Sequence, residues 1–314
     1  MEPRLFAYFQ GSIVPLSEAR ISVLTHAFNY GTGCFEGIRG YWNEEAEQIY
    51  MFRMPEHFDR LRASAKILRS EIVPDNTQLS DIATELVHRG GFREDVYVRP
   101  VVYKSSEVVG VRLHNLASDI VLYVVPFGPY LDVDAGIRCC VSSWRRIDDN
   151  MAPARGKLTG IYINSALAKT EAIENGYDEA IVLTQEGHVA EGSAENIFLV
   201  RHGKLMTPSL SENILEGITR ATVMELAVQE LHMEVVERQI DRSELYIADE
   251  VLLCGTGAQI SPVVEIDRRT VGDGRIGEVT RQLQKLYFDI VRGRDPRYTA
   301  WCRPAYPAPT AART

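Results

Sequence analysis

The segment that decides the fold runs from Ile120 to Ser143 and reads IVLYVVPFGPYLDVDAGIRCCVSS. It opens with an apolar run closed by proline, Ile120–Pro126, which predicts a buried strand. It ends on a second strand-like run, Ile137–Ser143. Between them Phe127–Gly136 holds Gly, Pro and Asp with no periodic pattern, the composition of a connector. Two such bodies either side of a loop predict two domains: residues 1–126, a linker over 127–136, and residues 137–314.

Working upstream, Phe6–Phe9 and Ile13–Pro15 flank Gln10-Gly11 as a short hairpin. Pro55 opens a segment where Phe58, Leu61, Ala65 and Leu68 recur at helical spacing. Leu79, Ile82, Ala83, Leu86 and Val87 repeat the pattern and stop at Gly90-Gly91. Val96–Tyr103 predicts another buried strand. Downstream, strands are expected at Glu179–Leu183 and Asn196–Val200, and helices at Ile161–Asn175, Ile218–Leu231 and Gly277–Val291. The tail from Arg303, RPAYPAPTAART, is Pro- and Ala-rich and is expected to be a peripheral arm. Strands and helices mixed in this way make the expected fold class α+β.

Composition narrows the function. Apolar residues at 45% and charged residues at 25% are ordinary globular values. No run is long and apolar enough for a membrane span, and the start, MEPRLFAYFQGSIVPL, lacks the pattern of a secretory signal. A net charge of -9 argues against nucleic-acid binding. The seven histidines show no ligand spacing, so no metal is expected. Five cysteines without a CxxC pair read as buried thiols in a reducing compartment, which suggests the cytoplasm. Only six lysines occur (66, 104, 157, 169, 204 and 285), so chemistry that needs an amine has few candidates.

Four places could carry chemistry. Gly217-Ile218-Thr219 sets a glycine before a periodic helix, where unpaired amides and the helix dipole favour an anion by up to about 2 kcal/mol; it also reads as an ordinary helix start. Cys254-Gly255-Thr256-Gly257-Ala258 is a small-residue turn whose amides and hydroxyl could hold another anionic group, or simply a turn. Lys157 lies in Ala154-Arg155-Gly156-Lys157-Leu158-Thr159-Gly160. Its flanking glycines allow the close approach that a Schiff-base lysine needs; a solvated loop lysine would look the same. Glu191, in His188-Val189-Ala190-Glu191-Gly192-Ser193-Ala194-Glu195-Asn196, could keep a pyridine nitrogen protonated, or be a surface acid.

Taken together the motifs become recognisable. Tyr30-Gly31-Thr32-Gly33-Cys34-Phe35-Glu36-Gly37-Ile38-Arg39 resembles the YGxxxFEGIR segment of branched-chain amino-acid aminotransferases, the fold-type IV enzymes that use pyridoxal 5′-phosphate (PLP). So do Glu56–Leu61, Tyr97-Val98-Arg99-Pro100, Glu191–Asn196, Leu215–Arg220 and Ala248-Asp249-Glu250-Val251, in the family's order and spacing across about residues 5–292.

The resemblance implies a two-domain enzyme with PLP at the domain interface, catalysing transamination between Leu, Ile or Val and 2-oxoglutarate. Lys157 would carry the cofactor and shuttle the proton. Glu191 would pair with the pyridine nitrogen and Tyr162 with the phenolic oxygen, and Leu215 would pack on the ring. Arg60, Gly217, the amides of Ile218 and Thr219, and Thr256 would hold the phosphate. For the substrates, amino acids and 2-oxo acids, the family implies an apolar wall at Tyr30, Phe35, Phe127 and Tyr130. Tyr97, Arg99, Thr256 and Gly257 would form the polar part, and Gly37, Arg39 and Ala258 also fall to the substrate side. A partner's loop near Val109-Gly110-Val111, with Val111 in contact, would close the site of at least a homodimer.

Phe127 stands where tryptophan is familiar and Gly257 where alanine is, and Lys104–Glu107 also departs from the family. Other members of the fold (D-amino-acid or (R)-amine aminotransferases, aminodeoxychorismate lyase) would keep Lys157 and Glu191 but usually lack the Tyr97–Arg99 pair. A catalytically silent PLP-binding protein would have lost a lysine, glutamate or phosphate ligand, and none is lost.

Overall fold

The structure is a computed structural model, and it describes residues 4–128, 131 and 133–307. The chain divides into Met1–Gly128 with Phe288–Thr314, and Pro129–Tyr287. The first break falls inside the expected linker. The second was not expected: residues from Phe288 onward group with the first unit rather than with everything after 136. Asn43 Nδ2 donates to the Arg292 carbonyl (2.7 Å) and Arg292 Nη1 to that of Trp42 (2.6 Å), contacts that no sequence periodicity announces.

The first unit begins with β1 (Phe6–Phe9) and β2 (Ser12–Pro15), the expected hairpin. Helix α1 (His26–Tyr30) and strands β3 (Gly33–Phe35), β4 (Ile38–Asn43) and β5 (Gln48–Phe52) follow, none of which was read as an element from the sequence. Helices α2 (Met54–Ile67) and α3 (Asn76–Gly90) bury the apolar stripes expected of them. Pro55 sits in the first turn of α2, where its missing N–H costs nothing. Asp75 and Gln78 close a capping box on α3, and Gly91, at φ 64°, supplies its left-handed stop.

Strands β6 (Val96–Lys104) and β7 (Ser118–Pro126) complete the unit's sheet. A last strand, Cys302–Pro304, gives the order last strand–β5–β4–β6–β7–β1–β2, with β3 also paired to β6. Every pairing in it is antiparallel. That corrects one expectation. β6 and β7 are not buried on both faces: Val96, Val98 and Pro100 are covered while Tyr97 and Arg99, two apart, share the half-open face.

The tail is likewise not a peripheral arm where it is described. Cys302–Pro304 pairs with β5, and Gln48 Oε1 accepts the amides of Ala305 (3.0 Å) and Tyr306 (2.8 Å). Three residues held by backbone pairing at a sheet edge need no periodicity, and an edge tolerates Pro304. The buried Lys104, at one of the departures from the family, donates to the Arg69 carbonyl (2.6 Å) and Ser118 (3.1 Å), so that substitution is absorbed by packing.

The second unit carries β8 (Ile137–Arg145), α4 (Tyr162–Glu174), β9 (Glu179–Leu183), β10 (Val189–Gly192), β11 (Asn196–Arg201) and β12 (Lys204–Thr207). After α5 (Ile218–Gln229) come β13 (Val235–Glu237), β14 (Glu250–Gly255), β15 (Gln259–Ile266) and β16 (Arg269–Thr270). The sheet runs β10–β9–β8–β15–β14–β11–β12–β13, with β16 on β15. β8 runs parallel to β9 across α4, and β12 parallel to β13 across α5, the helical crossovers that parallel neighbours require. Ile137, Ile181, Ile197, Leu199, Val251 and Leu253 form its core, while Ala168 and Ala172 of α4 let that helix lie close on β8 and β9. Helix α6 (Glu278–Val291) begins in this unit, where its Leu283 and Tyr287 are buried, and its residues from Phe288 belong to the first. An antiparallel sheet and a mixed sheet, each with helices packed on it, make the fold α+β, as expected.

Candidate active site

In the second unit the chemistry gathers around one amide. Asn196, at the start of β11, pairs in register with Cys254 of β14. Its Nδ2 donates to Glu191 Oε2 (3.2 Å) and to the Leu215 carbonyl (3.0 Å), and the Leu215 amide returns to the same Glu191 oxygen (3.1 Å). Its Oδ1 lies against Gly217, where a Cβ would come within 1.9 Å. Glycine is required there for close approach, not for a special φ. Asn196 therefore ties the Glu191 turn, the segment ahead of α5 and the strand leading to Thr256. It was legible only as the last letter of a motif.

Glu191 is 4% exposed, and its Oε1 meets Arg146 Nη2 at 2.9 Å. Burial pushes its pKa up; Arg146, the Leu215 amide, Lys157 and Arg220 pull the other way. Arg146 is itself buried and held by the Asn213 carbonyl at 3.0 Å. Sequence reasoning missed it, because nothing local pairs it with an acid so far along the chain. Lys157 Nζ donates to Tyr162 Oη at 2.7 Å, which brings together the amine and the phenol that the resemblance assigns to one cofactor.

Helix α5 starts at Gly217 with no side-chain cap, so no side chain competes for its first-turn amides. Ile218 and Thr219 of that turn are buried. Thr256 and Gly257 form the turn joining β14 to β15. Ala258 is buried, with its carbonyl held by Ser261 at 2.7 Å, so it shapes the turn from within.

The turn that follows β10, the strand carrying Glu191, holds a second buried acid. Glu195 accepts the Ala194 amide at 3.0 Å; burial and then the buried Glu179, which Lys169 reaches at 2.7 Å, push its pKa up to about 8. A carboxyl whose pKa is raised on folding binds more protons in the native state, so its contribution to stability is full below the ordinary glutamate range and fades as pH rises toward 8. Thermal melts from about pH 5 to 9 should show wild type losing stability relative to Glu195→Gln across that interval. Parallel curves would show that Glu195 is ionised throughout.

In the first unit the residues assigned to substrate form one cluster. The Arg99 guanidinium lies over Phe35 (4.3 Å) and Tyr97 (4.9 Å), and its Nη2 donates to Tyr97 Oη (3.1 Å). The Tyr97 ring meets Phe127 at 4.9 Å. Gly37 makes the room: a Cβ there would sit 1.9 Å from Tyr97 Oη. Arg39 is 2% exposed and turned to Asp95 (3.4 Å) and the carbonyls of Phe127 and Gly128 (3.2 Å each). That geometry makes it a clamp on Phe127.

Arg60 stands with a buried partner, Glu36, which receives Arg60 Nε (2.7 Å) and Nη2 (2.8 Å) and meets His57 Nδ1 at 2.7 Å. Burial alone would raise Glu36, but Arg60 and His57 outweigh it and hold it well below the usual carboxylate range. The acid fixes the plane of the guanidinium. Tyr30 Oη accepts the Gly110 amide at 3.0 Å, and Val111 is exposed. Tyr130 lies outside the described residues. Among the described residues no group of three His, Cys, Asp or Glu could hold a metal ion, and no helix is long and apolar enough to cross a membrane.

Residues 33–266 match the model of the amino-transferase class IV family. The chain belongs to the class IV aminotransferases. This aminotransferase is 52% identical over 301 residues to a probable branched-chain-amino-acid aminotransferase of Aquifex aeolicus (strain VF5), with 96% of this chain and 97% of that one covered. It superposes on the branched-chain aminotransferase of Thermoproteus uzoniensis with norvaline at a TM-score of 0.92 and 44% identity, covering 96% and 100% of the two chains. The branched-chain amino acid aminotransferase of Thermobaculum terrenum in its PLP form gives a TM-score of 0.93 and 38% identity, covering 98% and 100%. Enzymes of this class use PLP, which is therefore the cofactor of this aminotransferase. The family read from six motifs, and the fold-type IV architecture it implied, stand.

Proposed function

We propose that the aminotransferase moves the amino group between branched-chain L-amino acids and 2-oxoglutarate, releasing branched 2-oxo acids and L-glutamate. The observation that carries this is the setting of Arg99, one cation half-buried among Phe35, Tyr97 and Phe127, whose Nε is buried without a hydrogen-bond partner. A branched side chain gains from such walls about 0.8 kcal/mol per buried CH₂. The distal carboxylate of a five-carbon dicarboxylate avoids the cost of a buried unpaired charge by meeting the guanidinium.

The donor set fits PLP. Lys157 offers the amine that an aldehyde needs, Glu191 a buried acid for a ring nitrogen, and α5 uncapped amides for a phosphate. We assign Arg60, Gly217, Ile218, Thr219 and Thr256 to that phosphate, Tyr162 to the phenolic oxygen and Leu215 to the ring face. When bound, PLP supplies the electron sink that makes the substrate Cα–H acidic. With the cofactor bound, Lys157 Nζ would be the group that takes the proton from the substrate Cα and gives it back, and Tyr162 Oη would hold that amine in place between transfers. Tyr30, Phe35 and Phe127, with Tyr130, exclude water from the side chain; Tyr97, Thr256 and Gly257 orient the substrate's α-carboxylate.

We also propose at least a homodimer and a cytoplasmic location. Val23, Leu24, Phe28, Val109 and Val111 are exposed apolar residues of the first unit, more than an isolated surface usually shows in two short stretches of chain. All five cysteines are free, buried thiols.

Arg99→Ala tests the substrate reading. It should slow the glutamate and 2-oxoglutarate half-reactions by about 10²-fold, the scale of stranding one buried carboxylate at about 2–3 kcal/mol, while leucine changes severalfold at most. Equal losses for leucine and glutamate, or a wild-type preference for D-alanine, would overturn it.

A further inference from the structure

We propose that His26 is a positioning residue that sets the amino-acid KM by holding the loop Ser105–Ala117 in a fixed pose. Gly110, at the tip of that loop, has both of its backbone polar groups taken by side chains of α1. Its N–H goes to Tyr30 Oη at 3.0 Å, and its carbonyl faces His26 Nε2 at 2.8 Å. A carbonyl only accepts, so Nε2 carries the proton, and Nδ1 is left to accept from the Thr32 hydroxyl at 2.8 Å. His26 is fully buried and its own amide reaches the Ser106 carbonyl at 2.9 Å, so the ring cannot drift from the loop it holds.

The clamp holds its neighbours in an unfavourable place. Val109 is 78% and Val111 90% exposed, while Gly110 adopts φ 142°, a region that other residues rarely enter. Two side-chain contacts and a glycine conformation that present two valines to water make sense when those valines meet an apolar group. The inference rests on the proposed branched-chain activity and homodimer, in which this loop would reach the partner subunit's site and meet a branched side chain there.

The two amide analogues of histidine separate the contacts. Glutamine places its Nε2 near the histidine Nε2 and can still donate to Gly110, whereas asparagine reaches only toward Thr32. Two measurements on the PLP-loaded enzyme decide it: hydrogen exchange of peptides spanning 105–113, and kcat and KM for leucine, valine and alanine. His26→Gln should resemble wild type in both. His26→Asn should exchange about tenfold faster in the loop and raise the leucine and valine KM by about tenfold, the worth of one hydrogen bond, with kcat within about twofold and alanine little changed. If His26→Asn does not fold, Thr32→Val, which removes the hydroxyl that holds the other ring nitrogen, should shift exchange and KM in the same direction. Unaltered exchange in the loop would overturn the clamp. Faster exchange with unchanged KM would overturn its role in substrate binding. A wild type inactive with branched amino acids would instead sink the proposed function, leaving the exchange result to judge the clamp alone.

Discussion

Lys157→Ala should slow transamination by at least about 10⁴-fold, the upper end of what one positioned proton-transfer group contributes, because the same amine also anchors the cofactor. Its setting supports that double duty. Nζ is fixed by Tyr162 Oη at 2.7 Å, and the preceding Gly156 is buried, so the backbone approaches without a side chain in the way. The competing lysines are poorly placed. Lys66 and Lys285 are exposed, Lys104 is sealed against the Arg69 carbonyl, Lys169 is paired with Glu179 and Lys204 with Glu234. Borohydride reduction of the wild type followed by peptide mapping should put the pyridoxyl label on the peptide containing Lys157, and the alanine variant should take up none. A label on any other lysine would refute the assignment, whatever the variant's activity.

The contrast between Lys157 and Arg146 shows what a sequence exposes. Lys157 announces itself because its requirements are local: a small-residue loop and, shortly after it, a phenol at the start of a helix. The helices α2, α3 and α5 were legible for the same kind of reason, since apolar spacing and glycine stops are properties of short windows. Strands β3, β4 and β5 were not, because their residues are largely buried on both faces, which erases alternation, and β3 and the start of β4 also sit among the glycines of a motif. Arg146 reaches Glu191 only after β8 and β9 pair in parallel, and Cys302–Pro304 joins β5 from the far end of the chain. Contacts made by sheet topology leave no trace in spacing. Where such contacts mattered, the resemblance to a family supplied the residue lists. The structure then gave Arg39 a hold on the Phe127 carbonyl, and turned Asn196 from a motif letter into the residue joining three segments.

Glu191→Gln should leave the cofactor bound yet slow removal of the Cα proton by about 10²–10³-fold, the cost of losing one preorganised electrostatic partner at a reacting centre. The amide keeps the shape and can still accept the Asn196 and Leu215 donors at 3.2 and 3.1 Å, so binding survives while the negative charge is gone. That charge is what keeps a ring nitrogen protonated and electron-withdrawing. Arg146 makes the argument testable a second way. Burial pushes the Glu191 pKa up, and the guanidinium at 2.9 Å is the nearest charge opposing it. Arg146→Gln should therefore raise that pKa further, so the acid limb of the half-reaction's pH profile moves to higher pH and activity returns as pH rises. No such recovery is expected for Glu191→Gln, which has nothing left to ionise. With Glu191 already neutral, adding Arg146→Gln should cost little more, a strongly non-additive cycle. Stopped-flow half-reactions with leucine across pH, for the two single variants and the double, read all three outcomes. A Glu191→Gln rate near wild type, or an Arg146→Gln profile that keeps its acid limb in place, would mean that Glu191 does not act through its charge.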